Sequence, residues 1–196
     1  MPESGHGSSR SGDCIVPIIH LITDYGDVFL EIDVENTPLT ADNFLRYVDS
    51  ALYDGASFYR VVRSHDDPTG IPIDVIQGGI GRDSRAYPGI GVEATQATGL
   101  RHRRGTLSMA RMVPGWSTAL ATSEFFICLS DAPELDFGGQ RNGDGQGFAA
   151  FGNVVSGIDI LSTMHDLPID PDKMAGTSFA GQMLRDPPRI LQARRA

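Results

Sequence analysis

Lysine is almost absent from this chain, Lys173 being the only one, and cysteine is confined to Cys14 and Cys128. Two cysteines do not make a disulfide framework. Cys128 lies in the apolar run Phe125 to Leu129 and reads as a small buried hydrophobe, while Cys14 sits in a polar tail. No stretch approaches the ~20 consecutive apolar residues of a membrane span, so no membrane partner is expected. With 16 Lys and Arg against 25 Asp and Glu, the formal net charge is -9. That sign argues against a nucleic-acid partner, and the pairs Arg103-Arg104 and Arg194-Arg195 are too short to reverse it. The five histidines, His6, His20, His65, His102 and His165, have neither ligand spacing nor nearby cysteines, so neither a metal nor another cofactor is expected. The glycine-rich run Gly138 to Gly147 lacks the Gly-Lys-Ser/Thr ending of a phosphate loop. No motif gives Ser108 or Ser123 a histidine partner, which leaves serine catalysis unsupported.

What remains is an ordinary globular composition. At 196 residues and 40% hydrophobic content, the chain can bury a core as one domain, expected to be monomeric. Residues 1–14 read as a disordered arm with no apolar core for a signal peptide, so the chain as written is expected in the cytoplasm; a misplaced start would instead allow the periplasm. The apolar residues on either side of Asp24-Tyr25-Gly26-Asp27 predict a β-hairpin. Thr37 as cap, Pro38 at the first helical position, and Leu39, Phe44, Leu45 and Val48 at helical spacing predict a helix to about Ser50. Strands are expected over 57–63, 73–79, 105–112, 124–129 and 148–154, with a second helix from Gly157 to His165 stopped by Pro168. Arg82 to Arg104 has no clear period and reads as a surface excursion. Another loop is expected around Pro114, Gly115 and Trp116. The main domain is set at 15–170, with 171–196 as an extension packed on it or trailing from it. Many short strands and two helices predict a mainly β barrel or sandwich.

Four blocks carry the functional signal: Phe58-Tyr59-Arg60-Val61-Val62, Gln77-Gly78-Gly79, Ser108-Met109-Ala110-Arg111 and Ser123-Glu124-Phe125-Phe126-Ile127. They offer a guanidinium, a neutral amide and apolar side chains, a set suited to binding and electrostatics. In this order the blocks resemble the cyclophilin-type peptidyl-prolyl cis-trans isomerases from about Ile18 to Met164. The resemblance implies a closed eight-stranded antiparallel barrel with a helix over each open end, and proline-containing polypeptides as substrates. Rotation about a peptide bond faces a barrier of ~18 to 20 kcal/mol, and X-Pro bonds exchange slowly enough to benefit from a catalyst. By resemblance Arg60 is the catalytic arginine and Gln77 the glutamine that orients it. Met109, Phe126, Leu135 and Phe148 are expected to line the proline pocket, with Ala110 beside the peptide backbone. Strand alternation puts Phe125 on the opposite face, in the core.

The chain departs from the family pattern at several positions. Tyr59 replaces the usual histidine and is expected to point away from the groove. Asp74-Val75 replaces Phe-Met, narrowing one pocket wall. Arg111 and Glu124 replace Asn and Gln, and are expected to form an ion pair beside the pocket that selects for polar residues before proline. Glu134 and Leu135 fall where many members carry Trp-Leu, from which weak cyclosporin binding is expected. A proline-peptide binding or chaperone module with little turnover is the alternative reading, kept open by Asp74, Arg111 and Glu124.

Overall fold

The computed structural model describes residues 16–81, 83–111 and 120–196. The N-terminal arm, Cys14 and the Pro114–Trp116 loop lie outside the described residues. Within them the protein is mainly β, with strands β1 (Ile18–Thr23), β2 (Gly26–Ile32), β3 (Ser57–Val62), β4 (Val75–Gly79), β5 (Thr106–Arg111), β6 (Ala121–Cys128), β7 (Ala149–Ser156) and β8 (Ile190–Arg195). Helices α1 (Pro38–Asp49), α2 (Thr95–Thr98) and α3 (Ile158–His165) complete the framework. No described helix is long and apolar enough to cross a membrane.

The strands form one antiparallel sheet in the order β3-β4-β6-β5-β7-β2-β1-β8. This corrects the closed barrel: no continuous ladder joins the two edge strands, β3 and β8. The chain just before β8 spans the gap instead, through backbone bonds from Phe58 N to the Pro188 carbonyl (2.9 Å) and from Ile190 N to the Ala56 carbonyl (2.8 Å). Pro187 and Pro188 cannot donate to a ladder, which accounts for the irregular closure.

Alternation builds the interior. Ile19 and Leu21 on β1, and Val28, Leu30 and Ile32 on β2, point inward and are fully buried, in keeping with a strand period of two. Thr23 pairs with Gly26 across a two-residue turn at Asp24 and Tyr25. Phe44, Tyr47 and Val48 of α1, and Leu161 and Met164 of α3, enter the same core. Phe125 sits at its centre, with the rings of Phe44, Tyr53 and Phe58 edge-on at 5.4 to 5.7 Å.

Helix α1 starts where expected, with Pro38 in its first turn, but Thr37 does not cap it. The Thr37 hydroxyl donates to the Asp33 carbonyl. Its place is taken by Glu93, whose carboxylate accepts from the Leu39 and Thr40 N–H groups at 3.1 and 2.7 Å. The 83–104 excursion therefore has a structural task. Glu93→Ala is expected to lower stability by about 1 kcal/mol, the usual scale of a lost cap. Urea unfolding checks it; an unchanged midpoint would contradict the role.

A candidate active site on the outer face of the sheet

A second, smaller apolar cluster, formed by Val62, Ile73, Val75, Phe126, Cys128, Ala132 and Leu135, lies apart from the main core, with Ala110 and Phe148 packed on it. It floors a groove of about 290 Å³. Phe126 and Phe148 pack edge to face at 5.3 Å, and together with Leu135 they line the apolar slot of the groove with rigid side chains. Phe125 and Phe126 thus serve opposite faces of β6. Burial pushes the Cys128 thiol well up, so it acts as packing and not as a nucleophile.

Of the residues singled out in the sequence, Arg60, Gln77, Val75, Ala110, Arg111, Phe126, Leu135 and Phe148 line the groove. Met109 does not. It is 1% exposed in the main core, because alternation along β5 turns Leu107 and Met109 inward and Ser108 and Ala110 outward. Glu124 is absent from the lining as well, and the Arg111–Glu124 pair does not form. The Arg111 guanidinium instead grips Asp144 through both terminal nitrogens at 2.8 and 2.7 Å, and its Nε donates to the Gly147 carbonyl at 2.7 Å. Those bonds hold the Asp144 carboxyl below its ordinary range. Asp74 turns away from the groove, accepting from Ser64 N and the Ser130 hydroxyl.

Arg60 sits at the side of the slot. Its Nη1 donates to Gln77 Oε1 at 2.6 Å, and its Nε and Nη2 both donate to Gln182 Oε1 at 2.8 and 2.6 Å. The other groove arginines, Arg111 and Arg141, have carboxylate partners in Asp144 and Asp67. Arg60 is held by two neutral amides. Burial, reinforced by the nearby Arg141 charge, pushes its guanidinium down to about 10, still protonated at neutral pH. The result is a desolvated cation that, among the described residues, has no ion-pair partner within salt-bridge distance.

Tyr59 does not point away from this assembly. The β3–β4 register slips between Phe58 and Arg60, so Phe58 pairs with Gly78 and Arg60 with Gln77. This bulge puts two consecutive side chains on one face. The Tyr59 hydroxyl donates to Glu124 and accepts from Gln77 Nε2 at 3.0 Å. The sequence of donors fixes the Gln77 amide: its NH₂ meets Tyr59, so its carbonyl faces Arg60. Glu124 is anchored in turn by the Ser123 hydroxyl and Gly81 N. Gly79, at φ 151, leaves room where an added Cβ would strike the Glu124 carboxylate. The two departures at Tyr59 and Glu124 therefore meet each other behind Gln77.

One arrangement escaped the motif reading. His102 Nδ1 lies 2.8 Å from Asp136 Oδ1 and Nε2 lies 2.8 Å from Ser108 Oγ, so Ser108 does have a histidine partner. All three are buried, Ser108 completely, under the Phe126 ring that His102 stacks on at 6.0 Å. No substrate reaches that hydroxyl, so the trio supports the pocket floor and is not a hydrolytic triad. Among the described residues, no group of three or more His, Cys, Asp or Glu could hold a metal ion.

Comparison with known proteins assigns this eight-stranded antiparallel sheet, with its small apolar groove beside a held arginine, to a family. The family model described as "Cyclophilin type peptidyl-prolyl cis-trans isomerase/CLD" matches residues 18–184. Peptidyl-prolyl cis-trans isomerase A of Dickeya dadantii is 38% identical over 144 residues, spanning 71% of this chain and 66% of that protein. Peptidyl-prolyl cis-trans isomerase-like 3 of Homo sapiens is 31% identical over 153 residues, spanning 78% of this chain and 84% of that protein. A cyclophilin-type isomerase of Cryptosporidium parvum, solved in the presence of the dipeptide Ala-Pro, superposes with a TM-score of 0.64 at 23% identity, covering 91% of this chain and 98% of that one. The chain belongs to the cyclophilin-type peptidyl-prolyl cis-trans isomerase family.

Proposed function

We propose that the groove binds proline-containing segments and that Arg60 catalyses rotation about the X-Pro bond. No covalent bond is made or broken. Twisting the bond returns a lone pair to the prolyl nitrogen, and a catalyst has only to favour that state over the planar ones. The proline ring fits the slot between Phe126, Leu135 and Phe148. Arg60 then donates from beside it, either to the developing lone pair or to the carbonyl that must stay still while the other side turns. A rate gain of about 10⁵ asks for only about 7 kcal/mol of differential stabilisation. One charge-assisted hydrogen bond in a dry, preorganised pocket is of the right kind to supply much of it.

The observation that carries this reading is the orientation of Arg60 by neutral partners at the edge of an apolar slot. The binding-module alternative loses its supports, since Asp74 and Glu124 lie outside the groove lining and Arg111 is tied to Asp144. The test is the cis-to-trans relaxation of a short X-Pro peptide with catalytic amounts of wild-type protein. Acceleration supports the enzyme, whereas binding without acceleration would return the assignment to a binding module.

We further propose weak cyclosporin binding. Glu134 stands where the resemblance puts a tryptophan, and its carboxylate accepts from Gln140 N at 3.1 Å, so the position supplies no indole donor. Inhibition of the peptide relaxation by nanomolar drug would contradict this.

A further inference from the structure

Gln182 and Phe179 belong to a segment that none of the four sequence blocks includes, yet both reach Arg60. The segment leaves the domain after Asp170 and returns at Met183, and its base is closed by a bond from Asp170 N to the Met183 carbonyl at 2.9 Å. A bridge between Ile169 and Leu184 reinforces that closure. Its returning end is laid antiparallel on the outer edge of β3, with Val61 N donating to the Gln182 carbonyl at 2.8 Å and Leu184 N donating to the Tyr59 carbonyl at 2.9 Å. The excursion is thus a compact loop with tied ends, a form in which residues far apart in sequence are held as one wall. Gln182 is only 5% exposed. The Phe179 ring lies over the guanidinium, 4.7 Å from the Arg60 Cζ.

We infer that this loop is a working part of the isomerase site proposed above, with Gln182 as a positioning residue for Arg60 and Phe179 as a shield over the face of its guanidinium. A guanidinium has five N–H donors in a fixed fork. Gln182 occupies the Nε edge and Gln77 one Nη1 donor, which fixes the plane of the group and leaves the remaining donors for the peptide. An amide oxygen serves here better than a carboxylate would, because it accepts from the cation without neutralising it. The Phe179 ring adds a cation–π contact and excludes water from the same face. Since the strand pairing runs through the Gln182 backbone, the side chain is free to be dedicated to Arg60.

The test compares wild type, Gln182→Ala and Gln182→Glu by peptide turnover and by the NMR resonance of the Arg60 Nε–H, assigned through its loss in Arg60→Ala. Gln182→Ala is expected to lower kcat about tenfold, the scale of one hydrogen bond to a charged group. KM should stay within about twofold, since the apolar slot is untouched. The Nε–H signal should lose its protection from solvent exchange. Gln182→Glu should keep that protection while kcat falls, because the guanidinium stays oriented but its charge is offset by the new carboxylate. Full kcat together with a protected Nε–H in Gln182→Ala would overturn the proposal. Should wild type prove inactive, the isomerase reading fails by itself, and the Nε–H resonance still decides whether Gln182 positions Arg60.

Discussion

Replacing Phe125 by alanine is expected to remove about 3 to 5 kcal/mol of stability and leave the groove lining in place, while the same change at Phe126, in the smaller cluster, is expected to cost less stability and to damage substrate use directly. The two residues are neighbours on β6, yet they serve different clusters. Phe125 is fully buried in the main core, with aromatic rings packed on it from α1, from β3 and from Tyr53. Its removal opens a cavity that those rings cannot fill without leaving their rotamers. Phe126 packs on Phe148 and His102 and turns its remaining surface to the groove. Losing the floor of the proline slot forfeits the burial of one small apolar ring, about 1.5 to 3 kcal/mol, which reads as a fall of roughly 10- to 100-fold in kcat/KM. Urea unfolding and peptide kinetics on the two variants check the contrast. Equal stability losses with equal kinetic defects would mean that the two clusters are not separate.

Arg60→Ala is expected to lower kcat by about 10²- to 10³-fold, the range seen when one preorganised donor is removed from a site that stabilises developing charge. The fold should survive. Arg60 is a desolvated cation whose hydrogen bonds, among the described residues, go to two amides, so its deletion relieves a burial penalty as well as losing those bonds. Arg60→Lys is expected to recover little of the rate. A lysine ammonium is a compact charge on a flexible stem and cannot present a planar fork to Gln77 and Gln182 at once. A lysine variant with near wild-type kcat would show that net charge alone suffices and that the geometry around the guanidinium does not matter.

Much of the framework was legible in local pattern. The hairpin at Asp24-Tyr25, helix α1 from Pro38, and the inward positions of β2 follow from spacing that the chain states openly. Strand β8 was not legible. Ile190 and Ala193 are its buried residues, Leu191 is half exposed, and the strand ends in Arg194-Arg195, so no period of two survives. Its place is set by pairing with β1 across nearly the whole chain. Local alternation also failed at Tyr59, where a bulge turns the side chain toward Gln77. Along β5 it holds and works against the motif, carrying Met109 into the core. The Gln182 contact is wholly non-local, joining residues 122 positions apart. His102 and Ser108 are six positions apart in sequence, but their meeting depends on Asp136 from another loop. Sequence pattern reports which residues face inward; it does not report which distant loop arrives to complete a polar group's hydrogen bonds.

In the mechanism proposed above, the X-Pro bond rotates on the protein, beside an oriented Arg60. The most direct measurement is exchange NMR on a short X-Pro peptide held mostly in the bound state, with wild type and with Arg60→Ala. Rapid cis–trans exchange is expected within the wild-type complex, and the variant is expected to bind the peptide still but to exchange it orders of magnitude more slowly. Exchange in the bound state as fast with Arg60→Ala as with wild type would contradict it.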